Sequence, residues 1–262
     1  MPGWDNVDVW GVLQHEFGVP LYMDNDANMG ALGESRCGAA RGSMNMAYIK
    51  VATGIGGGLI VDGHIYRGHS GSAGELGHIS IDEDGPLCVC GNRGCLETLA
   101  GARAIVEDAL LGRSLHARGE ANAEKGSAVS LLVRRKDQLA QAEPGSAEYV
   151  RADIADVILA AQRGDAASVA ALERAGEHIG IALAGLINLF NPATIVVDGG
   201  VARAGALLLA PLRRVAAACS LPAAWNGTRI LPGELGNDAI ALGAVITVID
   251  IAFSPVPHPL SS

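Results

Sequence analysis

Aromatic residues are scarce in this sequence, at 4% of 262 residues, and so is positive charge: 19 Lys and Arg stand against 28 Asp and Glu, a formal charge of −9. That balance excludes a chain that grips phosphate backbones by itself, because nucleic-acid modules carry a basic footprint. Any contact with DNA is expected through a segment outside this chain. No run of 18 apolar residues occurs, and the start, MPGWDNVDVW, has neither a basic nor an apolar leader region. Membrane spanning and secretion are therefore not expected, and a cytoplasmic location is. Cysteine is sparse too. Five is an odd number, and three of them crowd into Cys88–Cys95, a poor layout for a disulfide framework and a good one for a metal. Cys37 and Cys219 stand apart and are expected to be small buried hydrophobes.

What is present is a chain 49% hydrophobic with 35 glycines. Its length suffices for one large domain or two small ones, and the glycines suit strands and helices alternating around ligand loops. A helix is expected around Val9 to Phe17, then a short strand Leu21 to Met23 ending in Asp24-Asn25-Asp26, then a helix Asn28 to Gly38. Met46 to Val51 reads as a strand entering a glycine turn, Thr53-Gly54-Ile55-Gly56-Gly57-Gly58. Strand Leu59 to Val61 follows, with Asp62-Gly63 as a hairpin turn. Helices are expected over Leu96 to Ala100, Ala102 to Leu111, Ile154 to Arg163 and Ala166 to Phe190. In the last of these, Gly180 and Gly185 permit close packing and Asn191-Pro192 marks the stop. Strand Thr194 to Val197 then enters Asp198-Gly199-Gly200, and helices Leu207 to Cys219 and Ala239 to Ile251 close the chain. Arg113 to Gly145 reads as a polar insertion and the tail SPVPHPLSS as frayed. The sum is an α/β protein.

The most specific motif is His78, Cys88-Val-Cys90 and Cys95, with Gly91 and Gly94 between the thiols. Zinc takes soft thiolate and imidazole ligands in a tetrahedron, and glycines let so short a loop fold back on itself. Four protein ligands would fill the coordination sphere, which makes this a structural zinc, worth as much as ~10–16 kcal/mol to the elements it anchors on zinc-finger precedent. Glu75 lies three residues before His78, and Glu97 two residues beyond Cys95. Paired carboxylates suit the vicinal hydroxyls of a sugar, and an imidazole held on one nitrogen can donate from the other. Asn25-Asp26 offers an amide and a potential general base, or simply a helix N-cap. The Thr53 to Gly58 run could cradle anionic oxygens, although no Gly-Lys-Ser/Thr follows it and no helix opens on it, so it is neither a Walker A loop nor a dinucleotide fingerprint.

Together Asp24-Asn25-Asp26-Ala27-Asn28, the Thr53 to Gly58 run, Gly74-Glu75-Leu76-Gly77-His78 and Cys88-Val-Cys90-Gly-Asn-Arg-Gly-Cys95-Leu-Glu97 resemble the ROK family of repressors and sugar kinases. The likeness runs from about Leu21 to Val245. It implies an actin-like, ribonuclease-H-like ATPase fold, here largely its second lobe. Residues 1–30 would be a remnant of the first lobe, 31–238 the sugar- and zinc-binding lobe, and 239–262 a C-terminal helix and tail. By the resemblance, Asn25, Asp26, Glu75, His78 and Glu97 contact sugar, with Asp26 the catalytic base in kinase members. His78 with Cys88, Cys90 and Cys95 holds zinc. Thr53, Gly54, Gly56, Gly57, Gly58, Gly199 and Gly200 fall where members that bind ATP, with magnesium, hold it. A homo-oligomer is expected on the same ground.

The departure is the Asp-x-Gly-x-Thr phosphate loop of such kinases, which does not occur before Asn25. Phosphoryl transfer rests on positioning and charge stabilisation, so without that loop catalysis by this chain alone is expected to be very slow. Two readings follow. The first is the sugar-sensing portion of a transcriptional regulator, favoured by the Pro-Gly-Trp start and the Asp84 to Cys88 approach to the metal. The second is an ATP-dependent, glucokinase-like hexose kinase, favoured by Gly56-Gly57-Gly58 and Asp26.

Overall fold

The structure is a computed structural model, and it describes residues 7–117 and 153–253. Most of the polar insertion expected over Arg113 to Gly145, and the tail from residue 254, lie outside the described residues.

A five-stranded mixed sheet forms the centre. Its strands are β1 (Met46–Val51), β2 (Ile55–Val61), β3 (His64–Ile65), β4 (Thr194–Asp198) and β5 (Arg229–Pro232), in the order β3-β2-β1-β4-β5. β1, β4 and β5 run parallel, and β2 and β3 add antiparallel to the β1 edge. The hairpin between β2 and β3 turns on Asp62 and Gly63, both at positive φ (49° and 80°). Two such residues make the turn whose twist matches flanking strands, which is why Asp-Gly signals it.

The sheet separates two layers by strict alternation. From β1, Met46 and Tyr48 face one side with Ile60 and Val196, where Ala27 and Ala31 of α2 (Asp26–Cys37) cover them. Ala47, Ile49 and Val51 face the other side with Ile195 and Val197. Covering that side are α3 (Leu96–Ala100), α4 (Ala102–Ala117), α5 (Ile154–Gln162), α6 (Ala166–Phe190) and α7 (Ala206–Cys219). Small residues set the layer spacing. A Cβ on Gly176 would stand 2.5 Å from the Leu208 carbonyl oxygen and one on Gly180 2.7 Å from that of Leu212, so the backbones of α6 and α7 approach directly at these two turns. Gly185, expected to share this role, has open space beside it; Gly176 takes it instead.

Outside these layers, α1 (Val9–Phe17) buries no residue, α8 (Pro222–Asn226) leads into β5, and α9 (Asp238–Ala252) packs along α2 through Gly33, Ala239 and Gly243. α2 is buried over Ala27 to Ser35, so the boundary expected at residue 30 falls inside a helix that belongs with the sheet. Residues Leu21 to Met23 form no strand; Tyr22 and Met23 are exposed and have no ladder to join. The strand after the glycine turn begins at Ile55, not Leu59. Cys37 and Cys219, expected to be buried, are both exposed at the C-terminal ends of their helices.

Candidate functional site

The cysteine loop folds through its glycines. Gly91 and Gly94 adopt positive φ (94° and 59°), which L side chains rarely do, and Gly94 passes against the Asp82 backbone. Bridges Leu87 to Arg93 and Ser80 to Cys95 close the loop, with Cys88 N–H donating to Asn92 O at 2.7 Å and Gly94 N–H to Pro86 O at 2.8 Å. The result places one ligand atom each from His78, Cys88, Cys90 and Cys95 within 4.8 Å of one another. Cys88 Sγ is 3.6 Å from His78 Nδ1, and Cys90 Sγ is 3.6 Å from Cys95 Sγ. A disulfide would need about 2.0 Å. A tetrahedron with bonds of about 2.3 Å to sulfur has edges near 3.8 Å, so this donor set is spaced for a metal. Burial pushes the Cys95 thiol up to about 12 and raises Cys88, whereas the Asn92 backbone amide holds Cys90 below the ordinary thiol range.

His78 turns Nδ1 to the thiols and lies 3.7 Å from Glu97 Oε1, which also accepts from Cys88 Sγ at 3.2 Å. The other carboxylate oxygen, Oε2, stands 3.0 Å from where a Cβ on Gly54 would be, so the first glycine turn leaves room for Glu97. Glu75 stands at the N-cap position of the short 3-10 turn Leu76–His78, with no capping bond from its side chain. Its neighbour Gly74, at φ 92°, packs against Gly57 of β2, and neither position accepts a Cβ. Thus the glycines of β2 join elements: Gly57 meets Gly74 and Leu76, and Gly58 meets Ala27 and Ala31. Gly56 and Gly57 lie inside a strand, and the turn proper is 52–54.

Asn25 is the N-cap of α2, its Oδ1 accepting from Ala27 N–H at 2.8 Å. Asp24 accepts from Asn28 Nδ2 and from the Arg67 guanidinium, which fastens the α2 start to the loop that carries Glu75. Asp26, in the first turn and half exposed, pairs with Lys50 Nζ at 2.5 Å. Lys50 lies in register with Gly56 on one side and Asp198 on the other. Asp198 is buried, accepts from Tyr48 Oη at 3.0 Å and from Gly199 N–H at 2.7 Å, and begins the second glycine turn. Gly199 (φ 97°) packs on the Val51 backbone, and Gly200 faces the Ile154 side chain at van der Waals distance. The structure therefore joins His78 to Glu97 directly, and groups Asn25 and Asp26 with β1. Lys50 and Arg67 are the two cations that sequence reasoning missed.

The mixed α/β fold that carries these residues matches ROK sugar kinase structures, which have the actin-like ATPase fold. The chain matches the ROK family over residues 1–251 and belongs to it. It is 32% identical over 247 residues to the xylose repressor of Bacillus subtilis strain 168, covering 94% of this chain and 55% of that protein. It is 37% identical over 242 residues to the glucokinase of Halalkalibacterium halodurans, covering 92% and 67%. Among solved structures, a Streptomyces griseus ROK glucokinase in complex with glucose and AMPPNP superposes with a TM-score of 0.71 at 31% identity, over 90% of this chain and 70% of that one. A ROK family transcriptional regulator, a homologue of the E. coli MLC protein, gives 0.69 at 29% identity, over 89% and 53%. The chain thus spans about half the length of the repressors it matches and two thirds of the glucokinase. Among the described residues, no helix is long and apolar enough to cross a membrane.

Proposed function

We propose that this chain is the effector-binding portion of a ROK-family transcriptional regulator, taking an unphosphorylated sugar at Asn25, Asp26, Glu75, His78 and Glu97. One structural zinc is held by His78, Cys88, Cys90 and Cys95. The sugar site rests on the Asp26–Lys50 pair, and the regulator reading on the absence of an Asp-x-Gly-x-Thr phosphate loop from these 262 residues. A general base must present a carboxylate oxygen to the hydroxyl it deprotonates. Here the ammonium holds Oδ2 and leaves Oδ1 to accept a hydrogen bond from a sugar hydroxyl, an arrangement that serves a sugar site in either reading. The spacing of the Cys/His donors supports zinc, and with four protein ligands the ion fixes the loop that presents Glu97. Contact with DNA and pairing with a second copy belong to this reading as proposals.

A specific observation favours the kinase as the second reading. The two glycine turns end adjacent strands on either side of Lys50, as a nucleotide site beside Asp26 would require. Isothermal titration of the zinc-loaded chain with D-glucose, D-xylose and N-acetylglucosamine, with and without ATP and magnesium, separates the two. Sugar binding indifferent to nucleotide supports the sensor. Binding tightened by ATP, with sugar phosphate appearing, replaces it with the kinase, and absence of sugar binding overturns both.

A further inference from the structure

Lys50, paired with Asp26, is a side chain to which neither the sequence motifs nor the comparisons assign a role. Its alternation on β1 puts it on the α2 face with Met46 and Tyr48, and its register sets it between Gly56 and Asp198. The buried carboxylate in register with it already has a donor on each oxygen: Asp198 Oδ2 accepts from Tyr48 and Oδ1 from Gly199 N–H. Lys50 therefore extends to Asp26 Oδ2, with its side chain 26% exposed and that of Asp26 55% exposed. Both partners keep a solvent-facing surface at the place where Asn25 caps α2.

An ammonium has three donors and a carboxylate about four acceptor positions. After their mutual bond, the pair still offers N–H donors from Lys50 beside a free acceptor oxygen, Asp26 Oδ1. A carboxylate alone can only accept, so it meets every hydroxyl as a donor. Donor and acceptor side by side match a vicinal diol, in which one hydroxyl donates to Oδ1 while its neighbour accepts from Nζ. Because the pair carries no net charge, it holds no electrostatic preference for an anionic ligand.

We propose that Lys50 is a specificity-determining residue of the sugar site, contacting one hydroxyl of a neutral vicinal diol whose other hydroxyl is held by Asp26. This rests on the sugar-binding reading above. The test is titration of the 262-residue chain and of Lys50→Met with D-glucose and D-xylose, then with the 3- and 4-deoxy analogues of whichever sugar binds. Removing one hydrogen bond to a charged group costs about ten- to a hundredfold in affinity. Lys50→Met should weaken parent-sugar binding by that factor. The deoxy analogue that loses the Lys50 hydroxyl should bind the parent chain as weakly as Lys50→Met binds the intact sugar, and should lose almost nothing further in the variant. Lys50→Arg, which keeps the cation, should recover part of the affinity. A merely structural role would weaken all analogues alike. If Lys50→Met melts early, Lys50→Gln, which can still bond Asp26, is read in the same way. Parent and variant sharing one affinity, or one pattern of deoxy penalties, overturns this inference alone. A parent chain that binds none of the sugars overturns the sugar-binding reading beneath it.

Discussion

The hydroxyl of Tyr48, in the middle of β1, donates to Asp198 Oδ2 at 3.0 Å across 150 residues of sequence. Tyr48 is 2% exposed, its ring lies over Gly30 of α2, and Asp198 opens the second glycine turn. One side chain thus links the helix carrying Asp26 to the turn carrying Gly199 and Gly200. Burial, reinforced by the Asp198 charge, drives the Tyr48 hydroxyl well above its ordinary range, so it remains a donor at all physiological pH.

Tyr48→Phe keeps the ring and deletes the donor, leaving a buried carboxylate oxygen without its partner. The expected cost is about 1–3 kcal/mol, read as a lowered denaturant midpoint at unchanged slope. A midpoint equal to that of the parent would mean that Asp198 finds another donor, and that the link between helix and turn does not depend on this bond.

Much of this architecture was legible in the chain. The Asp62-Gly63 hairpin, α6 and the Cys/His loop are each specified by residues close together in sequence. Other features were not, for physical reasons. β5 is four residues long, ends in Pro232 and buries only Ile230, so it carries neither alternation nor length. Leu21 to Met23 has strand composition and no partner strand. The Gly56-Gly57-Gly58 run looked like a phosphate loop because glycine marks close approach without saying what approaches; here Gly57 and Gly58 meet protein backbone. Lys50 became meaningful only when register placed it opposite Gly56 and Asp198, although the alternation Met46, Tyr48, Lys50 already put it on the helix-covered face.

Glu34 is fully buried in α2, yet both its oxygens are used: Oε2 accepts from Ala39 N–H at 2.7 Å and Oε1 from Leu235 N–H at 2.9 Å. The carboxylate ties the end of α2 to the loop that leads into α9. Glu34→Ala strands two backbone donors and opens a cavity, and should cost about 3–5 kcal/mol, whereas Glu34→Gln retains one acceptor and should cost less. Equal melting temperatures for the two variants would show that neither the volume nor the acceptor that Gln retains contributes to this joint.

His178, in the middle of α6, is partly buried, and its buried Nδ1 has no hydrogen-bond partner among the described residues. Desolvation lowers its proton affinity in the fold, against opposing contributions from the Leu99 backbone and from Glu177, Asp108 and Asp82. The folded state therefore binds fewer protons at His178 than the unfolded state does. Stability from this residue is fully present above the unfolded value of about 6.5 and is lost as pH falls through it. His178→Gln should flatten the decline in unfolding free energy between about pH 7 and pH 5, and an unchanged slope would assign that decline to other groups.

The Cys/His loop supplies the last prediction. Cys95 is wholly buried and Cys88 nearly so, and burial keeps both thiols protonated at neutral pH when no cation compensates them. A metal must displace those protons, so affinity should fall steeply with decreasing pH. The chain should purify with about one zinc per molecule, measurable by elemental analysis, since four donors at tetrahedral spacing complete one coordination sphere. Chelation, or Cys90→Ser, should lower the melting temperature and expose the segment around Leu96 to protease, because Leu96 N–H and Ile81 N–H are held by the same bridges that close the loop. It should also weaken sugar binding through Glu97, which touches both His78 and Cys88. Glu75→Gln, by contrast, lies outside the donor set and should weaken sugar binding with the melting temperature unchanged. Should chelation leave both melting and sugar affinity untouched, the four donors are only a reduced thiol cluster and the link from metal to sugar is lost.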